Sequence, residues 1–239
     1  MKILVVGDGC KDVFVYGKVD RLTPEAPVPV FNPVETKTND GMAKNVANNV
    51  EALGSTIYTI TNMNSIKKVR YVDKSSNHMV LRVDEHDYCN RIDTDILSKI
   101  RNNKCHVSMS GDVEDDIQFI CENNDNVFVD TKKKLGRWIE FADFIKINFI
   151  EYTNNKEFLH NNKNFLNKTI ITCGDKGCLF REDRYLVEKV PIKDLSGAGD
   201  TFLAGLVVEY LKSNDIVKAI NFAQECTTIV VQKHGVSTI

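Results

Sequence analysis

The run Ile3-Leu4-Val5-Val6, closed by Gly7-Asp8, most limits what this chain can become. Four consecutive aliphatic residues leave no polar face for solvent, so the run reads as a strand covered on both sides, the parallel-sheet type. The same grammar recurs at 127–130, 144–147 and 169–173, where short apolar runs end in Asp, Asn or Gly. Between them lie stretches with helical spacing. Val46, Ala47, Val50 and Leu53 follow Asn39-Asp40-Gly41 and stop at Gly54. Helices are also expected over 92–101, 115–121 and 216–231, and further strands at 56–61 and 106–109. Strands alternating with helices imply an α/β fold, a parallel sheet with helices on both faces. At 239 residues the chain can build one sizeable core without staples or metals.

Two segments break that grammar. Pro24, Pro27 and Pro29 fall within six residues, which excludes a helix and a central strand and leaves an edge ribbon outside the main sheet. Residues 66–72 and 78–83 flank Lys74-Ser75-Ser76-Asn77, a hairpin signature. A second hairpin is expected from 178–181 and 185–190, turning at Glu182-Asp183-Arg184.

Composition excludes several function classes. The net charge of −2 provides no basic field for nucleic acid or an acidic membrane. Seven cysteines, an odd number with no Cys-x-x-Cys, suit reduced thiols in the cytoplasm better than a disulfide framework. Five scattered histidines without His-Glu-x-x-His argue against zinc. The N-terminal apolar run is too short for a signal peptide, and none approaches the length of a membrane span.

Ser196-Gly197-Ala198-Gly199-Asp200 opens directly onto Phe202, Leu203, Leu206, Val207, Tyr210 and Leu211, whose spacing marks one face of a helix. Small residues at a helix start leave N–H groups unpaired at the positive end of the dipole, a setting for an anion. A carboxylate there can take a proton from an attacking hydroxyl. The same pattern also reads as an ordinary turn, with Asp200 as a dipole partner. Asp8 and Asp12 follow the first strand, where ligands of open parallel sheets sit, and read equally as surface acids. Gly41 and Asn45 stand at or near a helix start, suited to a sugar hydroxyl or to a cap. Asn148 and Glu151 suit a hydrated magnesium ion. Thr172, Gly174 and Gly177 leave room for a nucleotide at a strand end. No P-loop and no protein-kinase motif set is present.

Asp194-Leu195-Ser196-Gly197-Ala198-Gly199-Asp200 resembles the C-terminal signature of the ribokinase-type (PfkB) carbohydrate kinases, and Asn148-Phe149-Ile150-Glu151 matches that family's Asn-x-x-Glu motif. Arg21 through Val30 and Gly41 through Gly54 are similar to the heptose-phosphate kinases among them. The resemblance runs along nearly the whole chain. It implies a three-layer α/β/α sandwich with a mostly parallel sheet, as one kinase domain over 1–239. A small β lid would form from about 13–35 and 66–83. It implies ATP-dependent phosphoryl transfer to a hydroxyl of a sugar or sugar phosphate, with a heptose-7-phosphate-like acceptor favoured. The alternatives are a nucleoside kinase or a binder without turnover. By motif position, Asp200 would be the base, with the N–H groups of Gly197, Ala198 and Gly199 holding the transferred phosphoryl group. Thr172, Gly174, Gly177, Asp194, Gly197 and Gly199 would bind ATP, and Asp194 would help order a monovalent cation such as K+. Asn148 and Glu151 would hold Mg2+ through water, and Asp12, Gly41 and Asn45 would bind the sugar. The lid would pair two copies into a homodimer. The chain departs from the family at Asp40-Gly41, commonly Gly-Gly, and at Lys44, commonly small.

Overall fold

The computed structural model describes residues 2–88 and 114–239. The expected helix over 92–101 and strand over 106–109 lie outside the described residues, as do Cys89 and Cys105. The other five cysteines are free thiols.

Strand β1 (Lys2–Gly7) shows why the aliphatic runs have no polar face. Ile3 and Val5 join Phe128, Ile170 and Phe180 in one core with helices α1 (Ala43–Ala52), α5 (Ala198–Ser213) and α6 (Ile216–Val230). Leu4 and Val6 join Val129, Ile145, Ile147 and Ile171 in a second core. That core is closed by α2 (Glu114–Asn123), α3 (Phe149–Asn161) and the short α4 (Lys163–Leu166). Alternate residues of the same strands feed opposite cores, which makes a three-layer α/β/α sandwich. β1 pairs in parallel with β4 (Thr56–Thr61). β7 (Phe128–Asp130), β8 (Phe144–Asn148) and β9 (Thr169–Thr172) are parallel. β10 (Cys178–Phe180) and β11 (Asp183–Tyr185) add an antiparallel edge.

A separate four-stranded sheet has the order β3-β2-β5-β6. It is built from β2 (Gly9–Leu22), β3 (Pro29–Met42), β5 (Ile66–Asp73) and β6 (Met79–Glu85). Pro24 and Pro27 lie in the connection between β2 and β3. Pro29 and Pro33 lie in β3, an edge strand whose missing donors weaken no central ladder. β2 and β3 reach further than the proline-rich segment suggested. β3 runs to Met42, which delivers the chain directly into α1. Leu81 and Val83 are exposed on one face of β6, and a register shift next to them sets Met79 opposite Val72.

Three local expectations change. Residues 201–208 of α5 are all buried, so this helix has no solvent face over two turns. It packs between α1, α6 and the sheet, and a one-sided stripe understates that enclosure. The second hairpin turns earlier than expected: Arg181 takes a left-handed conformation (φ 57) and β11 starts at Asp183. Residues 186–190 form no strand. Helix α3 escaped hydrophobic patterning because only Asn155 and Leu159 along it are buried. No described helix is long and apolar enough to cross a membrane.

Candidate active site

Gly197 sits at the N-cap of α5 with φ 80, a left-handed conformation that favours glycine. Its second requirement is space. A Cβ there would lie 2.6 Å from Asn45 Nδ2 and 3.0 Å from Val236 Cγ1. Of the three donors expected to face an anion, the Ala198 N–H is spent on Leu195 O at 3.2 Å. Among the described residues the N–H groups of Gly197, Gly199 and Asp200 donate to no backbone carbonyl, so they are the donors left at the helix start.

Asp200 stands in the first turn of α5 and keeps part of its surface open. Its Oδ2 accepts from Asn45 Nδ2 at 3.0 Å, across 155 residues of sequence. Burial pushes its carboxyl up to about 6, against the Asn45 hydrogen bond, which lowers it. Asn45 reaches it from the first turn of α1 and makes no cap there.

Lys146 was not anticipated as a site residue. It lies in the middle of β8, is 6% exposed, and donates to Asp130 Oδ2 at 2.7 Å. Its Nζ is 3.0 Å from where a Cβ on Gly199 would sit, so a cation adjoins the glycine loop. Burial works to lower its pKa, but the charge and hydrogen bond of Asp130, with Asp200 and Glu151 beyond, hold it above the ordinary lysine value. The sequence carried a signal: a lysine inside Phe-Ile-x-Ile-Asn cannot reach solvent from a doubly covered strand. Its partner was not visible.

Asn148 and Glu151 have a local role that outranks their expected one in geometry. They form a capping box on α3: Glu151 N–H donates to Asn148 Oδ1 at 2.9 Å, and Asn148 N–H donates to Glu151 Oε2 at 2.7 Å. Glu151 is raised above its ordinary value by burial, then by Asp130, against its bond from Asn148. Among the described residues no three His, Cys, Asp or Glu side chains converge as direct metal ligands. The cap leaves Glu151 Oε1 unused, a carboxylate oxygen beside the Asn148 carboxamide. This donor set fits a magnesium ion held through water and phosphate.

Thr172, Gly174, Gly177, Ala198, Gly199 and Phe202 line one cleft beside the loop, which Gln224 and Thr227 of α6 complete. Four of the expected nucleotide residues therefore meet. Asp194 does not line this cleft. Its Oδ1 accepts from Ser196 N–H at 2.8 Å and its Oδ2 from Gly235 N–H at 3.0 Å, so it ties the loop to the C-terminal turn.

Asp12 is not a surface acid. It is 5% exposed in β2 and paired with Arg70 of β5, which also stacks over Phe14 at 5.0 Å. Gly41 lies in β3 opposite Cys10, and any side chain there would overlap the Asp12 carboxylate and Cys10 Sγ. Burial, then Asp12, pushes the Cys10 thiol up to about 12, which leaves it unreactive.

A glycine loop with unpaired N–H groups, a carboxylate in the helix turn it opens and an Asn-x-x-Glu cap on the neighbouring strand–helix junction thus share one end of the sheet. The model of the pfkB family of carbohydrate kinases matches residues 105–239. The chain belongs to the pfkB family. It is similar to the bifunctional protein HldE of Helicobacter pylori strain J99, at 25% identity over 98% of this chain and 63% of that protein. It therefore spans somewhat under two thirds of the length of the curated relatives it matches. Solved structures that are similar include two ribokinases. The Thermotoga maritima ribokinase has TM-score 0.74 and 16% identity, over 98% of this chain and 94% of that one. The Arabidopsis thaliana ribokinase complexed with ribose and ATP has TM-score 0.71 and 15% identity, over 98% and 93%. These structural likenesses show a ribokinase fold for this pfkB member.

Gly197→Ala tests the loop. An alanine in the left-handed region costs about 1–2 kcal/mol, and its methyl would drive Asn45 away from Asp200. The variant is expected to melt a few degrees lower and to lose about tenfold or more in kcat. Unchanged turnover would show that the loop needs neither the glycine conformation nor the close Asn45 approach.

Proposed function

We propose that this pfkB-family protein is an ATP-dependent kinase that phosphorylates a hydroxyl of a sugar or sugar phosphate. The observation that carries this is Asp200, a carboxylate raised to about 6, set beside the free N–H groups of Gly197 and Gly199 and the cation Lys146. Asp200 takes the proton from the acceptor hydroxyl as its oxygen forms a bond to the γ-phosphorus. The bond to the ADP oxygen breaks and ADP leaves. The N–H groups and Lys146 stand where charge collects on the transferring phosphoryl oxygens. Bound with ATP, magnesium would neutralise phosphate charge, and Asn148 and Glu151 would hold its waters.

A heptose-7-phosphate-like acceptor is the favoured substrate. Support comes from the likeness to HldE along nearly the whole chain and from Arg70, a guanidinium beside Asp12. The four-stranded sheet is proposed as the lid, since it carries Asp12 and leads through Gly41 into Asn45.

The test is ADP release from ATP and magnesium with ribose, fructose 6-phosphate, heptose 7-phosphates and adenosine in turn. Acceptor-dependent release is expected, strongest with a heptose 7-phosphate. It should rise with pH through about 6 and then level, because a base works only when ionised. No acceptor-dependent release with any of them would sink the proposal. Release confined to adenosine would redirect it to nucleosides.

A further inference from the structure

Asn49 lies one turn beyond Asn45 on α1 and is fully buried. Its Nδ2 donates to Asn45 O at 2.9 Å and to Asn45 Oδ1 at 3.1 Å. Its Oδ1 accepts from the Ile239 N–H at 3.2 Å. Two of these partners are backbone groups with fixed roles, because a carbonyl only accepts and an N–H only donates. The Asn49 carboxamide is therefore satisfied in one orientation only. Its NH2 group then requires an acceptor from the Asn45 side chain. Asn45 must present Oδ1 to Asn49, which leaves Nδ2 for Asp200, at 3.0 Å. The direction of the last bond is thus decided two bonds away.

We propose that Asn49 is a positioning residue for the base: it sets the direction of the Asn45 carboxamide and so keeps a donor against Asp200. The proposal rests on the reading of Asp200 as the base. Without Asn49, the Asn45 carboxamide is free to turn. A turned Asn45 would set its Oδ1 against the Asp200 carboxylate, and two facing acceptors favour a proton between them. The other titratable groups that act on Asp200 come from elsewhere: Asp130 from β7, Lys146 from β8, and Asp12 and Cys10 from β2. Asn49 is hydrogen-bonded to Asn45 and Ile239 and to none of these groups, so replacing it removes none of their bonds.

The experiment follows Asp200 itself and needs no acceptor. Protein labelled with carbon-13 at aspartate carboxyls is titrated by NMR, and Asp200 is identified as the resonance missing from Asp200→Asn. The wild-type midpoint is expected at about 6. Asn49→Leu keeps the volume, removes the relay, and is expected to raise the midpoint by about one pH unit, the scale of one hydrogen bond to a charged group. Asn45→Ala should give a similar rise, and adding Asn49→Leu to it should give no more. Asn49→Asp is the second variant should the leucine form not fold. It keeps the size and the Ile239 contact but cannot donate, and it should also raise the midpoint. Its own charge is gauged in the Asn45→Ala background. An Asn49→Leu protein that melts lower with an unmoved Asp200 midpoint would overturn the proposal, as would a shift that persists in full without Asn45. The base reading fails separately, on full turnover by Asp200→Asn.

Discussion

Asp200→Asn is expected to lower kcat about 10²–10⁴-fold, the usual contribution of a positioned general base, while making the folded protein more stable at neutral pH. The two effects have one cause. Burial raises the Asp200 carboxyl to about 6, so ionising it is harder in the folded protein than in the unfolded chain. The sign follows. With the folded value above the unfolded one, the native state carries a cost above about pH 6 that disappears below the unfolded value. The shift corresponds to about 2–3 kcal/mol. An asparagine avoids it and can still accept from Asn45 through Oδ1. The variant should therefore melt higher than wild type at neutral pH and match it near pH 4, with Asn45 still bonded. Calorimetry at the two pH values checks the stability, and acceptor-dependent ADP release checks the rate. Full activity in this variant would remove Asp200 from the chemistry.

Lys146→Met is expected to be the most damaging single change, because it removes the cation beside the glycine loop and leaves Asp130 without its partner. Breaking a buried pair by deleting one member costs about 3–5 kcal/mol. Loss of a donor to developing charge costs about 10²–10³ in rate. Activity alone cannot separate the two effects, so the informative comparison adds Asp130→Asn. Lys146→Met with Asp130→Asn should recover most of the lost stability, since no unpaired charge remains, and should stay slow. If the double variant regains wild-type turnover, Lys146 serves folding only and the phosphoryl role falls.

What was legible in the sequence was what short stretches decide. β1, β7, β8 and β9 could be placed because a strand covered on both faces is mostly apolar. The ribbon around Pro24–Pro29 could be set outside the main sheet because proline cannot donate to a central ladder. The glycine loop could be recognised because small residues and a carboxylate must be adjacent in sequence to share one helix start. Asn148 and Glu151 were picked out as a pair, yet their spacing first serves a cap, a bond pattern that three residues of separation produce without any ligand.

The tertiary structure alone decided which of these pieces face each other. Asn45 meets Asp200 because α1 and α5 pack on the same side of the sheet, and nothing in either segment encodes the distance of 155 residues between them. Lys146 finds Asp130 only through the parallel register of β7 and β8. Asp12, which read equally as a ligand-facing acid or a surface acid, became a buried partner of Arg70 once β2 and β5 lay side by side. The aliphatic run at Ile3–Val6 by itself determined that such a sheet exists. Local sequence dictates burial and dihedral preference, whereas a charge inside a protein is stabilised by whichever partner the folded topology brings within reach.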